Sequence, residues 1–220
     1  MKNHDEHHKK RLDRLSIFVD AVLAIIMTLL VLDLRVPALT EINSTGEMMK
    51  KLSDLSPHFY SFFLCFLAVA QFWLGSNMFF SLMVKYDNTM AMLIILRLLT
   101  YCLLPFSAAI IGEYPNNPGS FVIFGGLYLC GTILSSISLK YYQRKKIFST
   151  DVNLKLVQEK IMRWWWVSPL IVLFMVGSAF INTKLSLVLF ISMLLFWLNM
   201  TKQMKLLTDE KIDMIKITAN

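Results

Sequence analysis

Long apolar stretches alternate with short polar ones along the 220-residue chain. A bilayer core of about 30 Å is crossed by roughly 20 apolar residues in a helix, so windows of about 17 to 25 such residues predict spans. Six windows of this kind occur. They cover residues 15–36, 59–82, 90–111, 121–139, 164–181 and 185–200.

The last two windows are separated by Asn182, Thr183 and Lys184 alone, a linker that predicts an antiparallel hairpin. The composition, 56% hydrophobic and 17% charged, provides more apolar surface than a soluble domain of this size can bury. The polar loops are too short to fold separately. The sequence therefore predicts an all-α integral membrane protein, with six transmembrane helices in one domain over residues 1–220.

The basic residues are distributed unevenly between the two sides of this arrangement. With the N-terminus inside, seventeen of the 22 Lys and Arg residues fall in cytoplasmic segments and four fall outside. Positively charged loops stay in the cytoplasm, so both termini are expected there. The net charge of +7 then reflects topology and attraction to anionic lipid, and a nucleic-acid partner is not supported.

Motifs of enzyme chemistry are absent from the sequence. It contains no Walker loop, zinc-helix motif, dinucleotide fingerprint or nucleophile elbow, so no catalytic residue and no cofactor are expected. His4, His7 and His8 fall in a polar stretch that is expected to be a solvated, disordered tail rather than a metal site. The protein is not expected to be an enzyme.

Two charged residues fall inside predicted spans. An ionisable residue at membrane depth costs about 2.5 to 3.5 kcal/mol on insertion scales, which indicates a function or a buried pair. Asp20 in the first span and Arg97 in the third lie at similar predicted depths, so we expect them to form an ion pair. Arg14 is the alternative partner of Asp20, and hydration of Asp20 near the inner interface is the alternative explanation.

The first span also carries a recognisable pattern. Arg14, Phe18 and Asp20 precede the run AVLAIIMTLLVLDLRVP, which ends at Pro37. This pattern resembles the first helix of prokaryotic members of the transmembrane protein 175 family. Similar features recur at Phe72 and Trp73 and at Leu104, Pro105 and Phe106, whereas the chain departs from the family pattern at Val19, Ser76, Asn77 and Arg97.

The resemblance implies a potassium-permeable cation channel in a prokaryotic cell membrane. Family members of this kind have six spans, assemble as homotetramers and line a central pore with the first helix of each subunit. The chain has no TVGYG-like segment, so we expect side chains and a hydrophobic constriction to select ions, with a modest preference for K⁺ over Na⁺. Its expected partners are monovalent cations, the lipid bilayer and further copies of itself.

Helical spacing indicates which residues could face such a pore, because residues three, four and seven apart share one face. Residues that share a helical face in this way ordinarily pack against neighbouring spans. Here the family resemblance favours a pore-lining role instead. The positions that match the family's constriction are Ile25, Thr28 and Leu32, as a hydrophobic gate, a hydroxyl ring and a second apolar ring. The full set is Ile25, Thr28, Leu29, Leu32 and Val36.

Just beyond Leu32, Asp33 is expected to concentrate cations at the outer mouth. A salt bridge from Asp33 to Arg35 or Lys51 is the alternative. Two other functions stay open: a proton channel, since Asp20 could accept a proton, and a proton-coupled secondary transporter. The transporter is less favoured because the six predicted spans show no repeated half.

Overall fold

The computed structural model describes residues 2–36, 38, 40, 44–148 and 168–199, and its regular structure in these ranges is helical. The longest helices are α1, α3 and α6, and α1 continues into a 3₁₀ turn over Leu30–Asp33. The helices are α1 (Lys2–Leu29), α2 (Thr45–Asp54), α3 (Ser56–Leu82), α4 (Asn88–Cys102), α5 (Leu104–Glu113), α6 (Pro118–Arg144), α7 (Ser168–Ser178) and α8 (Thr183–Asn199).

Within the described residues, four helical stretches are long and apolar enough to cross a membrane. They are Glu6–Asp33, Ser56–Leu82, Asn88–Glu113 and Pro118–Arg144. The helices α7 and α8 are apolar but shorter. The prediction of an all-α protein with several membrane spans is therefore confirmed. The start of the predicted fifth span, with its three tryptophans at 164–166, and the end of the sixth at Met200 lie outside the described residues.

The third predicted span is one helix in sequence but two in the structure, since α4 ends at Cys102 and α5 begins at Leu104. Pro105 explains the break, because it has no N–H to donate to the carbonyl of Tyr101 one turn earlier. Together the two helices still extend over Asn88–Glu113.

The prediction of a disordered N-terminal tail is wrong, because α1 already begins at Lys2. The first turns of α1 contact the α3–α4 loop, which is distant along the chain. The Tyr86 N–H donates to His8 Nδ1 at 3.2 Å, and the Arg11 guanidinium lies 5.0 Å from the centre of the Tyr86 ring. Leu12 is buried on the same stretch.

Three cation-bearing segments meet at this end of the molecule. Besides the contact between His8 and Tyr86, the Val84 N–H donates to the Ile147 carbonyl at 2.9 Å, and Met83 pairs with Phe148. The start of α1, the α3–α4 loop and the end of α6 therefore share one end, as the predicted alternation of spans requires.

The core of the bundle is built around α3, which packs against α1 and α5, while α4 packs against α6. Phe72 of α3 stacks on Tyr101 of α4 with ring centres 4.0 Å apart. The hairpin of α7 and α8 joins the bundle at α6, where Phe124 meets Phe190 edge to face at 5.9 Å. This arrangement leaves one side of α1 uncovered.

Candidate pore-lining site

Helix α1 has one face that packs inside the subunit. Val19, Leu23, Ile26 and Leu30 are buried at spacings of four and three residues, which places them on one side of the helix. This side faces α3, the principal neighbour of α1. It fixes the rotation of α1 about its axis and so determines which residues face outward.

The predicted pore positions lie on the opposite side. Ile25 is 57% exposed and Leu32 is 68% exposed, and Thr28 and Leu29 are exposed between them. We call Ile25, Thr28, Leu29 and Leu32 the α1 stripe. The structure thus places these four predicted residues together on one uncovered face.

The stretch Glu6–Asp33, which contains most of α1, has the most apolar 18-residue segment of the four long helical stretches, and that segment is also the least covered. Of its most apolar 18 residues 22% are buried, against 50%, 44% and 50% in the other three. An apolar surface of this size is covered in the native setting by lipid or by other protein subunits. The α1 stripe is therefore a candidate for contacts outside the single subunit.

The Thr28 hydroxyl donates a hydrogen bond to the Ile25 carbonyl one turn earlier, at 2.9 Å. A threonine hydroxyl has one hydrogen and two acceptor lone pairs, so this bond uses its only hydrogen. The oxygen lone pairs remain on the exposed side. Thr28 is thereby set up as an acceptor, which is the polarity that a cation requires.

The C-terminal part of the stripe differs from the sequence prediction. The α-helix ends at Leu29, and Leu30–Asp33 form a 3₁₀ turn, in which residues three apart lie directly above one another. Leu32 therefore stays in line with Leu29. Val36 lies beyond the turn, so its predicted place on the same helical face is wrong.

The outer-mouth candidate Asp33 is exposed at the end of the 3₁₀ turn. The alternative of a salt bridge to Lys51 is not realised, because Lys51 Nζ pairs with Glu47 Oε1 at 2.9 Å. Within the described residues, no ion pair involves Asp33 or Arg35. The carboxylate is thus exposed at the end of α1 that carries Leu32.

The family-motif residues near the start of the span have different surroundings. Arg14 and Phe18 are exposed, whereas Asp20 is half-buried and accepts a hydrogen bond from the Trp73 indole N–H at 2.9 Å. This bond ties α1 to α3 next to the stripe. In the sequence Trp73 stands out only as a family feature, and its contact with Asp20, 53 residues away, has no local signal.

Arg97 is buried, with 5% of its surface exposed, but it does not meet Asp20. Its Nη1 donates to the Ser135 hydroxyl of α6 at 2.5 Å, and its guanidinium lies 4.5 Å from the centre of the Phe72 ring. The predicted ion pair is wrong within the subunit. Equal depth did not bring the two charges together, because Asp20 bonds to Trp73 of α3 whereas Arg97 bonds to Ser135 of α6.

The fold and the site define a class: a helical membrane protein of several spans, with one apolar helix left uncovered. The family model for the endosomal/lysosomal potassium channel TMEM175 matches residues 14–105 of the chain. This segment contains the α1 stripe, Asp20, Trp73 and Arg97. The resemblance to this family, expected from the first helix, is confirmed.

Individual relatives agree with the family match. A protein named potassium channel from Chamaesiphon minutus is 29% identical over 124 residues, which cover 55% of this chain and 61% of that protein. The rat protein named endosomal/lysosomal proton channel TMEM175 is 27% identical over 121 residues, covering 54% of this chain and 24% of its own length. The chain thus spans less than two thirds of either relative.

A solved structure extends the likeness of the fold beyond the matched segment. The crystal structure titled as a lysosomal potassium-selective channel TMEM175 homolog from Chamaesiphon minutus superposes with a TM-score of 0.73. The superposed region covers 87% of this chain and 98% of the chain in that crystal structure, and the sequences are 23% identical. The chain therefore has the fold of that protein over most of its length.

Proposed function

We propose that the chain is one subunit of a potassium-permeable cation channel in a prokaryotic cell membrane. Each subunit has six spans and both termini in the cytoplasm, and four subunits assemble into a homotetramer. The α1 helices of the four subunits surround the pore. The pore has no carbonyl filter, and its permeant ions are K⁺ and, less readily, Na⁺.

The observation that carries this proposal is the α1 stripe, an apolar face with a single hydroxyl in its middle, on the least covered of the four helical stretches long enough to cross a membrane. Four copies of α1 around an axis cover this surface and create a narrow path. The end of the molecule where α1 starts also contains the α3–α4 loop and the end of α6. Placing that end in the cytoplasm agrees with the excess of basic residues there.

The side chains of the stripe account for gating and selectivity. Four Ile25 side chains that converge on an axis offer too little polar surface to hold water, so the ring stops ions by dewetting. Four Thr28 oxygens replace part of the hydration shell of an ion that passes the ring. K⁺ is less strongly hydrated than Na⁺ and loses less on entry, which gives a modest preference.

The experiment is a K⁺ flux assay on purified protein in liposomes. Ile25→Asn adds polar surface to the constriction, so we expect it to hold water and raise the K⁺ flux severalfold above wild type. Ile133→Asn in α6 is the matched control, because Ile133 is also exposed and lies on a helix outside the pore. Equal flux from Ile25→Asn and wild type, or an equal rise from Ile133→Asn, would contradict the proposal.

A proton channel is the second candidate, favoured by the name of the rat relative and by the half-buried carboxylate of Asp20 on α1. The same liposomes separate the two functions when the pH is clamped on both sides and K⁺ is the only permeant cation. A K⁺ current at clamped pH supports the potassium channel. Absence of a K⁺ current there, together with lumenal acidification in a second assay in which the pH is not clamped and a proton gradient is imposed, supports the proton channel.

A further inference from the structure

Arg97 lies near the middle of the Asn88–Glu113 span with its charge uncompensated by any carboxylate of the described residues. It is buried to 95% of its surface, since only 5% is exposed. A buried charge is stable only when it is paired and hydrogen-bonded. Its described neighbours are the Ser135 hydroxyl and the Phe72 ring, which are both neutral.

The guanidinium borders a cavity of about 30 Å³ lined by residues of α3, α4, α6, α7 and α8. Its polar lining includes Gln71, Ser76, Tyr128, Thr132 and Ser135, and among the described residues no acidic side chain lines it. Ser168 of α7 and Trp197 of α8 close it from the side of the hairpin. The space is comparable to one water molecule or one monoatomic ion.

The hydrogen bonds around the cavity leave two N–H groups free to donate, beside hydroxyl oxygens that can still accept. The hydroxyls of Ser76 and Thr132 donate to backbone carbonyls of their own helices, and Tyr128 donates to Gln71 Oε1. The Gln71 amide nitrogen therefore remains a donor. Arg97 Nε has no hydrogen-bond partner in the described part of the chain. A positive charge and N–H donors thus converge on the cavity.

We propose that this cavity binds a halide ion, chloride under ordinary conditions, against the Arg97 guanidinium. A water molecule of the same size satisfies the hydrogen bonds but leaves the buried charge unpaired, whereas chloride supplies both a counter-charge and an acceptor. The small size of the cavity favours a monoatomic anion over phosphate or sulfate. The site lies apart from the α1 stripe and does not depend on ion conduction.

The proposal has a consequence for stability, because the cavity is lined by residues of five helices. Chloride bound there favours the assembled bundle and leaves the separated helices unaffected. Unfolding of the protein is therefore expected to depend on the concentration of chloride itself, in addition to ionic strength. This dependence is a readout that remains even if the protein conducts no ions.

The first experiment follows thermal unfolding of the purified protein in detergent, in potassium chloride and in potassium gluconate of equal ionic strength. At chloride ten times its dissociation constant, we expect Tm to rise by about 3–6 °C. Arg97→Gln is expected to abolish this difference. Arg144→Gln, which changes an exposed arginine at the end of α6, is expected to retain it in full. An equal Tm in both salts would overturn the proposal.

A second experiment covers the case in which Arg97→Gln fails to fold. Crystals grown in potassium bromide are expected to show an anomalous peak in the cavity within hydrogen-bonding distance of Arg97 Nε. Ser135→Ala is expected to retain the fold and to require severalfold more chloride for the same rise in Tm. A cavity with water and no bromide, or a chloride dependence unchanged in Ser135→Ala and Arg97→Gln, would show that the site holds no halide.

Discussion

Thr28 combines two properties on the α1 stripe: its hydroxyl hydrogen is held by the Ile25 carbonyl, and its side chain is exposed. Its oxygen therefore offers lone pairs to the outside. Four such oxygens around an axis form a ring of acceptors. The selectivity of the proposed channel should depend on them more than on any other described group of the stripe, because the remaining members are hydrocarbon.

Thr28→Val removes this oxygen while keeping the shape of the side chain. We expect the K⁺ over Na⁺ preference to fall towards 1, because neither ion regains part of its hydration shell at the ring. Reversal potentials under bi-ionic conditions in planar bilayers measure this ratio. Thr28→Ser retains the hydroxyl and should retain the preference, and an unchanged ratio in Thr28→Val would exclude Thr28 from selectivity.

Asp20 and Trp73 form the other polar contact of α1 that bears on the site. Trp73→Phe removes the indole donor and should lower the free energy of unfolding by about 1 kcal/mol, since the partly exposed setting weakens a bond to a charged group. Equilibrium unfolding in a double-mutant cycle with Asp20→Ala measures the coupling. The losses of stability caused by Asp20→Ala and Arg97→Gln should be additive. Strong coupling between these two changes would indicate an ion pair that the structure lacks.

At the scale of elements, the docking of the C-terminal hairpin depends on one glycine of α6. A Cβ atom at Gly125 would lie 2.1 Å from Val176 Cγ2 of α7 and 3.2 Å from Phe190 of α8. The absence of a side chain allows the hairpin to approach α6 closely. The neighbouring Gly126 has no atom within 4 Å of such a Cβ.

Gly125→Ala should therefore destabilise the protein by about 1–3 kcal/mol, because the added methyl group overpacks the contact between α6 and the hairpin. Gly126→Ala should be neutral or stabilise by up to about 1 kcal/mol, since alanine is the better helix former. Unfolding of the two variants side by side, in one detergent, tests this. Equal stability of both would mean that the hairpin does not dock at Gly125.

The residues of the site could be predicted from the sequence only where they are neighbours on one helix. Helical spacing placed Ile25, Thr28, Leu29 and Leu32 on one face, as the structure has them. It failed at Val36, because the helix gives way to a 3₁₀ turn. The partners of Asp20 and Arg97 were not predictable, since Trp73 and Ser135 lie 53 and 38 residues away along the chain.

At the scale of the whole molecule, the proposed topology follows from the end at which the basic segments gather. Gln143, in the last turn of α6, belongs to this end. A cysteine introduced there should react with an impermeant thiol reagent only after the cells are opened, since that end is placed in the cytoplasm. Labelling of Gln143→Cys in intact cells, above the level of the wild-type cysteines, would invert the topology.

The central claim is that the exposed face of α1 surrounds a conducting pore. Leu32 and Leu30 test it most directly, because they share the 3₁₀ turn while Leu32 is exposed and Leu30 is buried against the subunit. Bilayer currents of Leu32→Cys and Leu30→Cys are recorded as an impermeant, thiol-reactive cation is added at the outer side. The account predicts that the K⁺ current falls severalfold in Leu32→Cys and is unchanged in Leu30→Cys and wild type. A current in Leu32→Cys that is insensitive to the reagent, with the thiol modified, would contradict it.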